Sequence, residues 1–171
     1  MDNITLIGMP GSGKSTVGVL LAKFLGYGFL DVDLVIQQRE HALLQNIIDD
    51  RGITAFLDCE EAAVCSLDCT HHVIAPGGSA VLRERAAAHL KSLGPVVYLQ
   101  VPLEELAQRI QNMSTRGIAM EKGQTLADVM AFRAPLYEKY ADLIVDCSGN
   151  QPLAQTAQTV LDRLRELQIG R

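Results

Sequence analysis

A chain of 171 residues with 48% hydrophobic and 20% charged residues has the balance of one folded domain with a substantial core, not of a disordered segment. Its formal net charge of −5, from 15 Lys and Arg against 20 Asp and Glu, argues against an extended nucleic-acid surface, which needs a basic face, yet leaves room for a small anionic substrate held by a few local cations. No apolar run approaches membrane-spanning length, and the first strand begins at Asn3 with no room for a cleavable leader, so the expectation is a cytoplasmic protein, monomeric by default and without membrane association.

In chain order, Asn3–Gly8 (NITLIG) reads as a buried strand and Lys14–Leu25 as the helix after it. Gly28–Asp31 is a short second strand. Leu34–Asp50 reads as helical in two pieces, and Ile53–Leu67 as a further helix. His72–Ala75 is a third strand, followed by a helix through Arg83–Ser92. Pro95–Gln100 is a fourth, with a helix from Pro102 to about Ile110. Leu143–Val145 is a fifth, and Pro152–Leu167 closes the chain as a helix. Strands alternating with helices predict right-handed β-α-β units, hence an α/β fold with a parallel sheet covered on both faces, spanning residues 1–171 as one domain. Ligands gather at the carboxyl ends of such strands, so the residues just after each strand carry the information.

One stretch breaks the alternation. Gln111–Gly123 (QNMSTRGIAMEKG) is polar and follows a helix without a strand. It reads either as an ordinary mobile connection or as a lid, over about 111–123, that carries Arg116 to the nucleotide. The four cysteines, Cys59, Cys65, Cys69 and Cys147, form no CxxC pair. Cys65 and Cys69 with His71 and His72 lack the spacing of a closed zinc site, and thiols in a reducing compartment are the preferred reading.

The first strand runs into Gly8-Met9-Pro10-Gly11-Ser12-Gly13-Lys14-Ser15-Thr16, which fits GxxxxGK[ST] between a strand and a helix. Its glycines permit a backbone that turns successive N–H groups toward one anion, and the helix onset adds its positive end. The nucleotide-binding set is therefore Gly11, Ser12, Gly13, Lys14, Ser15 and Thr16, with Lys14 reaching the β- and γ-phosphates of ATP and the Ser15 hydroxyl ligating Mg²⁺.

The second strand ends in Asp31-Val32-Asp33, and alternation along it points both carboxylates to one side. One acid can hold Mg²⁺ through water while the other accepts a hydrogen bond from a substrate hydroxyl; alternatively, Asp33 simply caps the next helix. The third strand leads to Pro76-Gly77-Gly78-Ser79, where two glycines either bring N–H groups to a substrate or make a tight turn. Arg133 is either a solvated helix residue or a two-pronged grip on a carboxylate.

Taken together, these residues resemble the shikimate kinase family over almost the whole chain. The opening GMPGSGKSTVGVLLAKFLG is similar to the family's phosphate loop and first helix, FLDVD to its FxDxD segment, VIAPGGS to its strand ending in a glycine triplet, and RAPLYEKYADLIVD to its RxPxYxxxAD signature. The resemblance implies a P-loop kinase fold around a five-stranded parallel sheet, ATP with Mg²⁺, and transfer to the 3-hydroxyl of shikimate. It implies that Asp33 holds the acceptor hydroxyls and acts as base, and that Asp31 lies near Mg²⁺. Arg133 would bind the substrate carboxylate, Gly77 and Gly78 would line the substrate site, and Arg116 would be the lid arginine. Lys14, Asp33 and Arg116 are then the catalytic set, and Arg109 and Pro152 border the adenine.

Three departures cluster on the acceptor side. Where the family has a phenylalanine–arginine pair, this chain has Phe56-Leu57; Asp58-Cys59-Glu60-Glu61 then adds negative charge; and Pro76 and Ser79 replace a threonine and the last glycine of the triplet. Losing one partner of a buried charged pair costs about 3–5 kcal/mol, so another acceptor stays open: a hydroxy acid, a sugar acid or a hydroxylated amino acid. A nucleotide-binding protein that no longer transfers phosphate is the reading from a different class. A kinase for nucleotides or nucleic-acid ends is the weaker third, opposed by the acidic charge and the RxPxY segment.

Overall fold

The computed structural model describes residues 3–111 and 118–169. Five strands, β1 (Ile4–Ile7), β2 (Gly28–Asp31), β3 (His72–Ala75), β4 (Val96–Gln100) and β5 (Leu143–Asp146), form one parallel sheet in the order β2-β3-β1-β4-β5. β1 lies at its centre with all four side chains buried, as expected of a strand covered on both faces. The helices among the described residues are α1 (Lys14–Leu25), α2 (Val32–Glu40), α3 (Leu44–Cys65), α4 (Glu84–Leu93), α5 (Leu103–Gln111), α6 (Leu126–Tyr140) and α7 (Leu153–Ile169), with a single 3-10 turn at Ala80–Leu82.

Each predicted strand is present within two residues of its expected ends. Between β2 and β3 the expected segments are present: helix in two pieces over Leu34–Asp50, then a further helix from Ile53. α2 starts two residues early at Val32 and is closed by His41, whose φ of 51° takes the left-handed turn, and the second piece begins at Leu44. Gly52 is non-helical (φ 82°, ψ 168°), so the stretch named α3 is two helices meeting at a kink, and that kink is the break expected before Ile53. α6 has no counterpart in the predicted elements, because it carries Pro135 in its interior and an exposed Phe132 that blur an apolar stripe. Its start was readable all the same: Thr125 accepts from the Asp128 N–H while the Asp128 carboxylate accepts from Thr125, a reciprocal cap.

Two apolar clusters flank the sheet. Ile4, Leu6, Val17, Leu21, Tyr98, Tyr137 and Val160 belong to one, and Val32, Ile36, Phe56, Val64, Ile74 and Leu90 to the other. The amino ends of the strands are locked by polar side chains. Asn3, 1% exposed, donates through Nδ2 to the carbonyls of Cys69 (2.6 Å) and Leu93 (3.2 Å) and accepts from the His72 N–H (2.9 Å). Asp142 accepts from the Val96 N–H (2.9 Å) and pairs with Lys91 (3.1 Å). The opposite, carboxyl ends are left to the loops that make the cleft.

Asn3→Ala removes three side-chain hydrogen bonds and leaves the Cys69 carbonyl and the His72 N–H without that partner, while the Leu93 carbonyl keeps the backbone N–H of residue 3. It should lower stability by about 2–4 kcal/mol, read as a lower urea midpoint with an unchanged m-value. A loss below about 1 kcal/mol would mean that these bonds do not fasten the sheet.

Candidate active site

The turn after β1 begins the site. Gly11 and Gly13 take left-handed conformations (φ 80° and 91°) that a side chain would strain, and α1 starts at the next residue. The loop therefore wraps around the end of a helix whose first N–H groups have no intrahelical partner. Lys14 is 9% exposed and folds inward, its Nζ donating to the carbonyls of Gly8 (2.9 Å) and Met9 (3.0 Å).

Ser15, in the first turn of α1, donates through Oγ to Asp31 Oδ2 at 3.3 Å. The other Asp31 oxygen, Oδ1, accepts from the Asp33 N–H at 3.0 Å. Asp31 is thus the last residue of β2 and the cap of α2, while Asp33 sits in the first turn of that helix. Strand alternation does not place the two acids, and the capping role weighed as the alternative for Asp33 belongs to Asp31. The start of the helix brings both carboxylates to the cleft, because strand and helix meet there.

Both acids line a cavity of about 510 Å³ at the carboxyl ends of the strands. One end is bounded by Gly11, Gly13, Lys14, Ser15, Thr16 and Arg109, the other by Asp33, Phe56, Gly77, Gly78, Ser79 and Arg133. Arg109 also approaches the Gly11 carbonyl (3.5 Å) and is held by Glu105 (3.4 Å). Pro152 itself does not line the cavity. Its carbonyl accepts from Gln155 and Thr156 at the start of α7, and its neighbours Asn150, Gln151 and Leu153 form the wall. Ser12 is buried behind the loop, with its N–H on the Met9 carbonyl and its Oγ 3.5 Å from Lys14 Nζ. Arg116 falls outside the described residues, whereas Ile118 and Ala119, later in the same predicted lid, do line the cavity.

Two residues of α6 shape the acceptor end. Arg133, 3% exposed, donates to the Ala119 carbonyl (2.5 Å) and lines the cavity. It is not the solvated arginine of the blander reading. Tyr137, four residues on and so on the same helix face, donates from its hydroxyl to the Gly78 carbonyl (2.5 Å). Burial holds its phenol well above the usual range, so it remains a donor. Pro76 and both glycines of the turn line the cavity.

The negative charge around Leu57 divides. Asp58 is exposed and pairs with Arg83 at 2.6 Å. Leu57 is partly buried against the apolar cluster of α2, α3 and α4. Glu60, one turn after the buried Phe56 on α3, is 1% exposed. Its Oε2 accepts from the Ser79 hydroxyl at 2.7 Å, and its buried Oε1 has no hydrogen-bond partner. Burial pushes the Glu60 carboxyl up to about 7, against the hydrogen bond from Ser79; the charge of Asp33 raises it further, and Arg133 and Lys14 oppose. Sequence reasoning gives Glu60 only as added negative charge. The signal for its inward direction was the spacing of four from Phe56.

Chemically, the loop end offers an anion cradle with a lysine. Ser15 and Asp31 offer a hydroxyl and a carboxylate oxygen side by side, hard donors that suit Mg²⁺. Among the described residues no three His, Cys, Asp or Glu side chains converge into an all-protein metal cage. The far end offers a buried guanidinium and a carboxylate for a small hydroxylated acid.

The comparisons with known proteins agree. The family model described as "Shikimate kinase" matches residues 10–165. A curated "Shikimate kinase" of Pseudomonas aeruginosa (strain LESB58) is 39% identical over 98% of both chains. The solved structure of shikimate kinase from Acinetobacter baumannii in complex with shikimate superposes with a TM-score of 0.87 at 32% identity, covering 97% of this chain and 94% of that one. The enzyme from Aquifex aeolicus gives 0.81 at 29% identity, covering 99% of each.

The raised Glu60 carboxyl sets a pH signature. Its proton is held more tightly in the folded chain (about 7) than in the unfolded one (4.5), so stability falls as pH rises through that window and stays lower above it. Glu60→Gln keeps an acceptor for Ser79 without the charge. It should be neutral near pH 4.5 and stabilising above pH 7, by on the order of 3 kcal/mol at most. Equal melting shifts at both pH values would show that the buried charge is not the cause.

Proposed function

This chain belongs to the shikimate kinase family, and from that premise we propose that it transfers the γ-phosphoryl group of ATP to the 3-hydroxyl of shikimate, releasing ADP and shikimate 3-phosphate. The observation that carries the reading is the single cavity with the phosphate loop at one end and Asp33 with Arg133 at the other. The shikimate-bound relative supports the choice of acceptor.

In this reading the N–H groups of the loop and the start of α1 hold the phosphates, with Lys14 beside them. Ser15 and Asp31 would hold Mg²⁺, which would supply positive charge to the phosphate oxygens. Arg133 takes the acceptor carboxylate through parallel hydrogen bonds, and Gly77 and Gly78 let the ring lie close to the backbone. Asp33 accepts the proton of the attacking hydroxyl as the new O–P bond forms and the bond from the γ-phosphorus to the bridging oxygen of ADP breaks. Most of the rate then comes from positioning and charge, not from covalent chemistry by the protein.

Among the described residues no helix is long and apolar enough to cross a membrane. The need for ATP and the four free cysteines fit a reducing, cytoplasmic setting, and the net charge of −5 fits a small-molecule substrate and not a nucleic acid.

With Mg-ATP, shikimate should give saturable ADP release above the rate without acceptor. Asp33→Asn should lower kcat by about 10²- to 10⁴-fold while ATP affinity stays within a few-fold. A parallel loss of both would remove Asp33 from the chemistry.

A further inference from the structure

The acceptor end holds more negative charge than an anionic substrate can use. Asp33 on α2 and Arg133 on α6 line the cavity, and the buried Glu60 on α3 feels the charge of both. Their oxygens converge at Gly77: a Cβ added there would lie 2.6 Å from Glu60 Oε1 and 3.1 Å from Asp33 Oδ1. Asp33 and Gly77 line the cavity, and Glu60, buried, stands directly behind Gly77, where no side chain intervenes. Oε1 is the very atom that has no hydrogen-bond partner, since Ser79 occupies Oε2. A buried carboxylate oxygen needs a donor, and none of the described residues supplies it.

We infer that the same cavity takes a second class of acceptor, an aliphatic amino acid with a free hydroxyl, whose carboxylate sits on Arg133 and whose ammonium enters at Gly77 between Glu60 Oε1 and Asp33. The inference rests on the proposed phosphoryl transfer to a hydroxyl at Asp33 and extends its range of substrates. An ammonium has three donors and one positive charge, enough to satisfy the orphan oxygen while its remaining donors reach Asp33. With a simple carboxylate, the acceptor end carries three negative charges against Arg133 unless Glu60 takes up a proton. With a zwitterion the ligand adds no net charge, so Glu60 can stay ionised. Transfer is balanced as for any alcohol: the hydroxyl proton goes to Asp33, the hydroxyl oxygen bonds to the γ-phosphorus, and ADP leaves.

The charged and titratable groups acting on Glu60 are Asp33 from α2, Lys14 from α1, and Arg133 and Tyr137 from α6. Burial brings the Glu60 carboxyl up to about 7, while it holds the Tyr137 phenol well above the usual range, so Glu60 is the group that changes near pH 7. An anionic acceptor favours its protonated form and an ammonium its ionised form. The two classes of acceptor therefore carry opposite pH signatures.

The experiment measures ADP release by the full chain with Mg-ATP on L-homoserine, L-threonine, shikimate and 4-hydroxybutyrate, the last being homoserine without its amino group. Homoserine should exceed 4-hydroxybutyrate in kcat/KM by about 10²-fold, and Glu60→Gln, checked for folding by its melting curve, should bring that ratio close to one. In the unsubstituted protein, KM for homoserine should fall and KM for shikimate should rise between pH 6 and pH 8. Turnover of shikimate with no hydroxy amino acid above the acceptor-free rate overturns this inference and leaves the proposed function standing. A homoserine preference that survives Glu60→Gln, or parallel KM profiles, overturns the role of Glu60. Silence on every acceptor overturns the phosphotransfer reading and this inference with it.

Discussion

The helix that begins at Lys14 must start against the end of the central strand, and the backbone meets that constraint by turning left-handed at Gly11 and Gly13. Much of the cleft follows from this. Because β1 lies in the middle of the sheet, its loop has β3 on one side and β4 on the other. Residues at the ends of β2, β3 and β1 can then reach a common point, and a hydrogen bond from Ser15 to Asp31 joins the first two helix starts across it. Asn3 and Asp142 fasten the other end of the sheet, so the carboxyl edge is free to be built from loops.

The two halves of the cavity solve different electrostatic problems. The phosphate half meets negative charge with backbone N–H groups and a helix end, which are fixed, and with Lys14, whose ammonium is held by the Gly8 and Met9 carbonyls. The acceptor half contains buried ionised groups that do need partners. Arg133 has the Ala119 carbonyl and whatever lies in the cavity; Glu60 has one hydroxyl. Replacing an arginine by Leu57 while keeping an acid within the same helix turns the bookkeeping of charge over to the ligand or to a proton.

Much of this was legible in the sequence, for reasons that differ from residue to residue. The sheet was legible because buried parallel strands are short apolar runs set off by helices, and the phosphate loop because its glycines and lysine answer to one geometry. The roles of Asp31 and Asp33 were half legible: both face the cleft, but through a helix start, which strand alternation cannot describe. Arg133 stayed undecided until the structure showed it buried, since a helix with Pro135 inside and Phe132 exposed gives no clean face. Glu60 was the least legible. An acid among acids reads as surface, and only the spacing from Phe56 and the presence of Ser79 in space reveal that it points inward. Pro152 shows the reverse case: a position near the nucleotide end whose neighbours, not itself, form the wall.

The spacing of four between Arg133 and Tyr137 has one more consequence. A single rigid rod carries both the cation that grips the acceptor and the hydroxyl that props the Gly78 carbonyl. Grip and wall therefore keep their separation whatever happens on α3, where Leu57 and Glu60 stand. The site is partitioned like a vise, with one fixed jaw and one exchangeable jaw. A lineage can retool the exchangeable jaw for a new substrate without realigning the hydroxyl against the phosphate.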